Sequence, residues 1–135
     1  MDKATKIELI RIRVATAHDN LADASWALRA NHLRLAVDRA YFADFHIAAA
    51  ALLQKGIART RDRGVQSAFV KYFMNSKWIE PEFGKLLQEV SSLRDQAEHQ
   101  LFLRQVTVDE ATQAVADAER FVQRVEQYLK EVGAI

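Results

Sequence analysis

The stretch IELIRIRVATAHDNLADASWAL, residues 7 to 28, decides how the rest of the sequence is interpreted. Its apolar side chains recur at alternating steps of three and four, which is typical of one stripe on an α-helix. The members of this stripe are Ile7, Ile10, Val14, Ala17, Leu21, Ala24 and Leu28. The pattern predicts a helix from about residue 3 to residue 29, and its apolar stripe needs partner helices to cover it.

Three further segments repeat the helical period and carry signals at their ends. Asn31 can cap a second helix that stops at Gly56, and Pro81 suits the first turn of another. Thr107 and Glu110 make a capping box ahead of the last apolar stripe. A shorter amphipathic segment of about three turns lies between the helix that stops at Gly56 and the helix that begins near Pro81. Its apolar residues are Val65, Phe69, Tyr72 and Phe73.

These segments define the expected fold. No segment alternates with a period of two residues, so no sheet is predicted. We expect an all-α fold, an antiparallel up-and-down four-helix bundle with an extra short helix, in one domain spanning residues 1–135. Because the stripes are rich in alanine, Tyr41, Phe45, Phe83 and Phe121 are expected to be the large side chains of the core.

Composition limits the classes of function. The chain has 19 Lys and Arg against 18 Asp and Glu, so its net charge favours neither a nucleic-acid coat nor an acidic tail. With no cysteine, disulfides and thiolate metal sites are excluded. The N-terminus mixes charged with apolar residues, and the longest apolar run, IAAAALL, is too short to span a bilayer. We therefore expect a soluble cytoplasmic protein with no membrane contact.

Charge is nevertheless unevenly distributed along the chain. Residues 55 to 77 hold six basic residues against Asp62 alone, a net charge of +5, and residues 78 to 135 hold six basic and eleven acidic residues, a net charge of −5. In the basic stretch ARTRDRG, Arg59, Arg61 and Arg63 can bind phosphates and guide RNA. Alternatively, the loop serves only solubility. Tyr72, Phe73 and Trp78 follow it, and they either stack on bases or belong to the core.

The stretch LRDQAEHQLF, residues 93 to 102, contains a group of side chains that are suited to acid–base chemistry and phosphate binding. At about 100° per residue, Arg94 lies roughly 50° from the centre of the apolar stripe and His99 on nearly the opposite side. Asp95 and His99 are four residues apart, so the carboxylate can orient the imidazole. Histidine can take a proton in one step and return it in the next, and arginine offers donors for a phosphate. Together they suffice for metal-free RNA cleavage by the ribose 2′-hydroxyl.

Arg94 and His99 diverge within one chain, so a two-fold axis beside this helix would be needed to combine them. A homodimer would bring both copies of each residue into one shared cleft. Phe102 lies on the flank away from the core, where a subunit interface could cover it. In the simpler alternative, Arg94 and Glu98 form a helical ion pair on a solvated face.

The flanking sequence resembles a known family. The segments DRAYFADFHIAAAALLQKGI (38–57), GVQSAFVKYFMNSKWIEPEFGKLLQEVSSLRDQAEH (64–99) and VTVDEATQAVADAERFVQRV (106–125) resemble the HEPN family of small helical bundles, from about Asp38 to Tyr128. More narrowly, the chain looks like the small stand-alone bacterial and archaeal members that are often encoded beside a minimal nucleotidyltransferase. Arg94, Asp95 and His99 match the ribonuclease signature of the family. The resemblance implies a metal-independent endoribonuclease, a composite site at a homodimer interface, and a toxin role beside a nucleotidyltransferase-fold antitoxin.

The resemblance also implies roles for single residues. By analogy His99 is the general acid or base, Arg94 stabilises the charged phosphate, and Asp95 orients the histidine. In members silenced by a partner, a Tyr two residues after the His receives AMP, and Leu101 stands here, which argues against that form of inhibition. Many close relatives carry Tyr where this chain has His99, and its presence here favours activity.

Two further interpretations stay open. His46 matches a histidine often found at this place in the family, as an accessory residue or as a helix-packing histidine. A metal site formed with Asp44 and His99 lacks a recognised ligand spacing, so we expect neither metal nor cofactor. Instead of a nuclease, the protein could be a non-catalytic HEPN module that binds a nucleotide or docks a nucleotidyltransferase, or an inert scaffold.

Overall fold

The computed structural model describes residues 1–99 and 105–135, and of His99 only the helical backbone. Within these ranges the chain forms five α-helices and no strand. The helices are α1 (Lys3–Arg29), α2 (Leu33–Gln54), α3 (Asp62–Phe69), α4 (Pro81–His99) and α5 (Val108–Glu131). A π-helical turn, Val70–Met74, continues α3. The predicted all-α fold of four long helices and one short one is confirmed.

Local sequence signals explain most of the helix ends. The Asp2 carboxylate accepts the Thr5 backbone N–H at 2.7 Å and caps α1. Thr107 and Glu110 form the predicted capping box at the start of α5. Gly56, with φ of +80°, ends α2 as predicted, because its left-handed backbone lets the amides of residues 56 and 57 reach the last carbonyls of the helix.

The prediction that Asn31 caps α2 is wrong. Asn31 has φ of +62° and ends α1 instead, with its backbone N–H donating to the Leu28 carbonyl at 3.1 Å. The next amide, that of His32, reaches the Ala27 carbonyl at 2.8 Å, which completes a Schellman motif. Asparagine fits here because it tolerates the left-handed conformation better than most residues. His32 occupies the N-cap position of α2 without a side-chain cap.

Helix α2 is the central element of the bundle. It packs against α1, α3, α4 and α5, and it is joined to α1 by a short connection that makes the two antiparallel. Residues on several of its sides are buried. The stripe that the helical period predicts is buried, and its members are Val37, Tyr41, Phe45, Ala48 and Leu52. The additional buried positions include Ala36, Ala40, Ala43, Asp44, Ile47, Ala50 and Ala51. Small alanine side chains let neighbouring helices approach α2 from several directions.

The core contains the predicted large side chains. Tyr41, Phe45, Phe83 and Phe121 are all buried, as is Phe73, which settles its assignment to the core. Phe69 of α3 connects this short helix to the bundle, since its ring lies 5.0 Å from that of Phe73 and 5.4 Å from that of Phe121. Other aromatic residues near the basic stretch are less enclosed: Tyr72 is partly buried and Trp78 is exposed.

One carboxyl group lies inside the core. Asp44 is 1% exposed, and its Oδ1 has no hydrogen-bond partner among the described residues. Burial, and secondarily the negative charge of Asp117, raise the pKa of Asp44 well above its ordinary value. The neutral carboxyl is therefore the favoured form.

No helix in residues 1–99 or 105–135 combines the length and the apolar character that a membrane-spanning segment requires.

Candidate active site

Arg94 of α4 lies where α2, α3 and α4 meet. Its Nε is 2.9 Å from Oδ1 of Asp38 on α2, and its Nη1 is 3.6 Å from Oδ2 of Asp62, the first residue of α3. Burial lowers the pKa of Arg94, but this effect is outweighed. The hydrogen bond and charge of Asp38, with the charges of Glu98 and Asp62, raise the pKa, and it lies above its ordinary value. The guanidinium is thus permanently charged and oriented from two sides.

Two aromatic rings form the floor under the Arg94 guanidinium. Its central carbon lies 4.9 Å from the ring centroids of both Tyr41 and Phe42. Burial raises the pKa of Tyr41 to about 12, so its hydroxyl stays protonated. Gln66 of α3 donates to this hydroxyl at 3.5 Å and to Oγ of Ser91 on α4 at 2.9 Å. The position of Arg94 is therefore fixed by buried packing as well as by charge.

Asp38 is the site residue that sequence analysis missed. From the sequence, Asp38 could equally cap a helix or pair with a nearby arginine. The structure pairs it with Arg94, which lies 56 residues further along the chain. The alternative pairing of Arg94 with Glu98 is not its closest contact: among the described residues its ion pairs are with Asp38 and Asp62.

The other residues of the predicted signature lie at the end of α4. Asp95 and Glu98 are exposed, and His99 is the last described residue of α4. The His99 side chain lies outside the described structure, as do Leu101 and Phe102. The predicted contact between Asp95 and His99, and the interface role of Phe102, therefore stay predictions.

The basic loop comprises residues 58–61 and continues into the first turn of α3, where Arg63 lies, and it is adjacent to Arg94. Arg59, Arg61 and Arg63 are exposed and line an opening of about 760 Å³, which Asp62 also lines. Because Asp62 contacts Arg94, the opening that these three arginines line lies next to the Arg94 side chain.

A cleft of about 340 Å³ opens on the side of Arg94 where the connection of α1 to α2 passes. Asp38 and Glu98 line it, together with residues 32 to 35. His32 in this cleft stacks on the exposed ring of Trp26, with the ring centroids 5.8 Å apart. The lining of the cleft therefore combines two carboxylates with Arg34 and the imidazole of His32, and Trp26 stacks on His32 from outside this lining.

His46 contacts Arg13 of α1 and not the Arg94 cluster. Its Nδ1 is 2.8 Å from Nη1 of Arg13, and its ring packs edge-to-face on Phe45. Burial, with a further contribution from the Arg13 charge, lowers the pKa of His46. In the described part of the chain, no group of three His, Asp or Glu side chains is placed to bind a metal ion.

The fold and this geometry can be compared with known proteins. The model of the HEPN domain family matches residues 10–128. The chain is 34% identical over 125 residues, 93% of its own length and 92% of the relative, to a Methanocaldococcus jannaschii protein named "Putative toxin MJ0605".

Two shorter matches agree with this assignment. The "UPF0332 protein PH1297" of Pyrococcus horikoshii is 35% identical over 80 residues, which cover 59% of this chain and 56% of that protein. A "UPF0332 protein" of Thermotoga maritima is 36% identical over 69 residues, which cover 51% of this chain and 52% of the relative. From the match to the family model and the long match to the archaeal relative, we conclude that the chain belongs to the HEPN family.

Proposed function

We propose that this protein is a metal-independent endoribonuclease, and that it is the toxin of a toxin-antitoxin pair. The observation that carries the proposal is the placement of Arg94, a charged guanidinium oriented by Asp38 and Asp62 beside a basic loop, five residues before His99 on the same helix. The toxin role is further supported by the name of the archaeal relative.

Arg94 has the properties required to bind a phosphate that gains negative charge. A guanidinium has five N–H donors in a fixed plane, and here Nε donates to Asp38. Within the described residues Nη2 makes no hydrogen bond, so it can donate to a phosphate oxygen. Preorganised donors of this kind stabilise the transition state because they need no reorientation during the reaction.

His99 supplies the proton transfers in this proposal. One imidazole removes the proton of the ribose 2′-hydroxyl, whose oxygen then bonds to the adjacent phosphorus. The bond from phosphorus to the 5′-oxygen breaks, and a protonated imidazole donates a proton to that oxygen. The products are a 2′,3′-cyclic phosphate and a 5′-hydroxyl. Asp95, four residues before His99, orients the imidazole.

A homodimer provides the two imidazoles. Because Arg94 and His99 diverge on one straight helix, the proposed two-fold axis runs beside the end of α4 and creates a shared cleft. Each chain then contributes its own Arg94 and His99 to that cleft. The basic loop, with Arg59, Arg61 and Arg63, guides the RNA strand toward it.

A nucleotidyltransferase-fold antitoxin is the proposed partner. Since Leu101 occupies the position of the modified tyrosine, we propose that such a partner inhibits by covering the cleft and not by transferring AMP to that residue.

A second candidate function is a nucleotide-binding module without catalysis. The cleft of about 340 Å³ beside Asp38 and Glu98 favours it, because small-molecule sites usually measure roughly 300 to 1,000 Å³. His32, which lines this cleft and stacks on Trp26, could accept a base there.

End-labelled single-stranded RNA incubated with the protein in EDTA separates the two functions. The unaltered protein is expected to cleave the RNA, and Arg94→Ala and His99→Ala are each expected to lose at least about 100-fold in rate. Arg124→Ala is the matched control. Arg124 is 19% exposed and its Nε is 2.9 Å from Glu80, while Arg94 is 21% exposed and its Nε is 2.9 Å from Asp38.

The control removes an arginine of similar burial, which also pairs with a carboxylate, from a different part of the bundle. We expect Arg124→Ala to cleave at the rate of the unaltered protein when its helicity is unchanged. Intact RNA with the unaltered protein, or equal cleavage by the Arg94→Ala protein, would contradict the nuclease. Tight nucleotide binding without cleavage would support the second function instead.

A further inference from the structure

A second arginine, Arg13 of α1, is partly buried without a carboxylate partner. Its Nη1 is 2.8 Å from Nδ1 of His46, and its guanidinium carbon lies 5.6 Å from the ring centroid of Phe45. No ion pair of Arg13 occurs within the described ranges, and burial lowers its pKa. A cation that is withdrawn from water and has only neutral neighbours is a favourable place for an anion to bind.

His46 orients this guanidinium without neutralising it. Because Nη1 of Arg13 can only donate, Nδ1 of His46 accepts and must be unprotonated. The lowered pKa of His46, which arises from burial and then from the Arg13 charge, agrees with a neutral ring. The contact therefore leaves the positive charge of Arg13 available to a ligand.

A groove of about 180 Å³ lies beside Arg13. Its lining combines Arg13 and Arg59 with apolar side chains, and in the described chain no carboxylate lines it. The apolar residues include Leu9, Ala49, Leu53 and Ile57. Sites for whole small molecules usually measure roughly 300 to 1,000 Å³, so this groove suits a phosphate and the adjoining sugar better than a complete nucleotide.

Arg59 connects this groove to the candidate active site. It lines both the groove beside Arg13 and the larger opening that Arg61 and Arg63 surround. Asp62, in the same opening, contacts Arg94. The groove and the larger opening therefore adjoin at Arg59, and the arginines that line them offer phosphate contacts to a strand that passes from the side of Arg94 toward Arg13.

We infer that Arg13, positioned by His46, and Arg59 form a phosphate-binding subsite for the backbone of the RNA strand, outside the cleft where Arg94 acts. The inference rests on the proposed function for the identity of its ligand. The subsite binds a phosphodiester and its ribose, and it extends the contact between protein and RNA past the cleaved bond.

The test measures binding of a labelled single-stranded 2′-O-methyl RNA by fluorescence anisotropy over a range of salt concentrations. This RNA has no free 2′-hydroxyl, so binding is measured independently of cleavage. Loss of one phosphate contact reduces the slope of log affinity against log salt by about 0.7 for a single strand. We expect this reduction for Arg13→Gln but not for Arg11→Gln, which removes an equal charge from an exposed position on the same helix.

His46 is tested as a positioning residue by the same slope. His46→Ala is expected to reduce the slope, and His46→Asn, whose amide oxygen can accept from Arg13, is expected to restore most of it. A change in stability alone would not alter the slope, and circular dichroism confirms that each variant is folded. Equal slopes for Arg13→Gln and Arg11→Gln, or no change in either, would overturn the inference.

Competition separates RNA from free phosphate compounds as the ligand. At matched ionic strength, AMP and inorganic phosphate are expected to displace RNA no better than NaCl does. Displacement by AMP from the unaltered protein but not from Arg13→Gln would assign the groove to a free nucleotide and overturn the RNA subsite. If the protein cleaves ordinary RNA but Arg13→Gln leaves the salt slope unchanged, only the subsite inference is refuted. If Arg13→Gln reduces the slope but the protein does not cleave RNA, only the nuclease proposal is refuted.

Discussion

Replacing Asp38 with alanine removes the carboxylate that accepts from Arg94 at 2.9 Å. Hydrogen bonds to charged groups contribute about 1.5 to 3 kcal/mol, and exposed ion pairs about 0.2 to 1 kcal/mol. Both side chains are about one-fifth exposed, at 20% and 21%, which places this pair between those classes. We expect a coupling free energy of about 1.5 kcal/mol between the two side chains.

The expected change in thermal stability follows from the size of the protein. Unfolding entropy is about 2.1 cal/mol/K per residue, which for 135 residues gives about 0.28 kcal/mol/K. If Asp38→Ala lowers the free energy of unfolding by about 1.5 kcal/mol, Tm falls by about 5 °C. Asp62→Ala is the control, since its carboxylate is 3.6 Å from Arg94 and 44% exposed. Its effect should stay below about 0.5 kcal/mol.

A double-mutant cycle measures the coupling directly. Urea unfolding, followed by circular dichroism, is compared for the unaltered protein, Asp38→Ala, Arg94→Ala and the double variant. The double variant should be about 1.5 kcal/mol more stable than the sum of the two single losses implies. Additive losses, within about 0.3 to 0.5 kcal/mol, would refute the claim that Asp38 positions Arg94.

Two further predictions concern the stability of the fold. Between the ordinary pKa of 3.8 and the raised pKa of folded Asp44, the unfolded chain has released a proton that the folded chain retains, so stability falls as pH rises. Asp44→Asn should remove this decline in the free energy of unfolding, which amounts to up to about 1.4 kcal/mol per pH unit. The exposed control Asp23→Asn should leave the decline unchanged, and urea unfolding at several pH values measures both. Thr107→Ala should lower the free energy of unfolding by about 1 kcal/mol through loss of the α5 cap, and unchanged Tm would contradict this.

The helices were predictable because their signals are local. The three-and-four spacing of apolar residues fixed α1 at Lys3–Arg29, and Pro81, Gly56 and Thr107 marked helix ends that the structure contains. Asn31 was assigned to the wrong helix because an asparagine can cap one helix or terminate another, and only backbone conformation distinguishes these roles.

Contacts between distant segments were not predictable in the same way. The stripe on α2 was identified, but its burial on several sides depends on which helices surround it. Likewise, the sequence singled out Arg94 but not its partners, because Asp38 and Asp62 lie 56 and 32 residues earlier in the chain. Arg13 and His46 carried no joint signal, since nothing in helical spacing connects positions on two different helices.

The central claim is that one cleft uses Arg94 and His99 from two chains, and complementation tests it most directly. Arg94→Ala and His99→Ala chains, each with a different affinity tag, are co-expressed, and the doubly tagged dimer is purified and incubated with RNA in EDTA. We predict that the mixed dimer cleaves RNA well above either variant dimer, although more slowly than the unaltered dimer. Its shared cleft keeps one Arg94 and one His99, water takes the place of the second imidazole, and each variant dimer has lost both copies of one residue. A mixed dimer as inactive as both variants, beside an active doubly tagged unaltered dimer, would contradict the account.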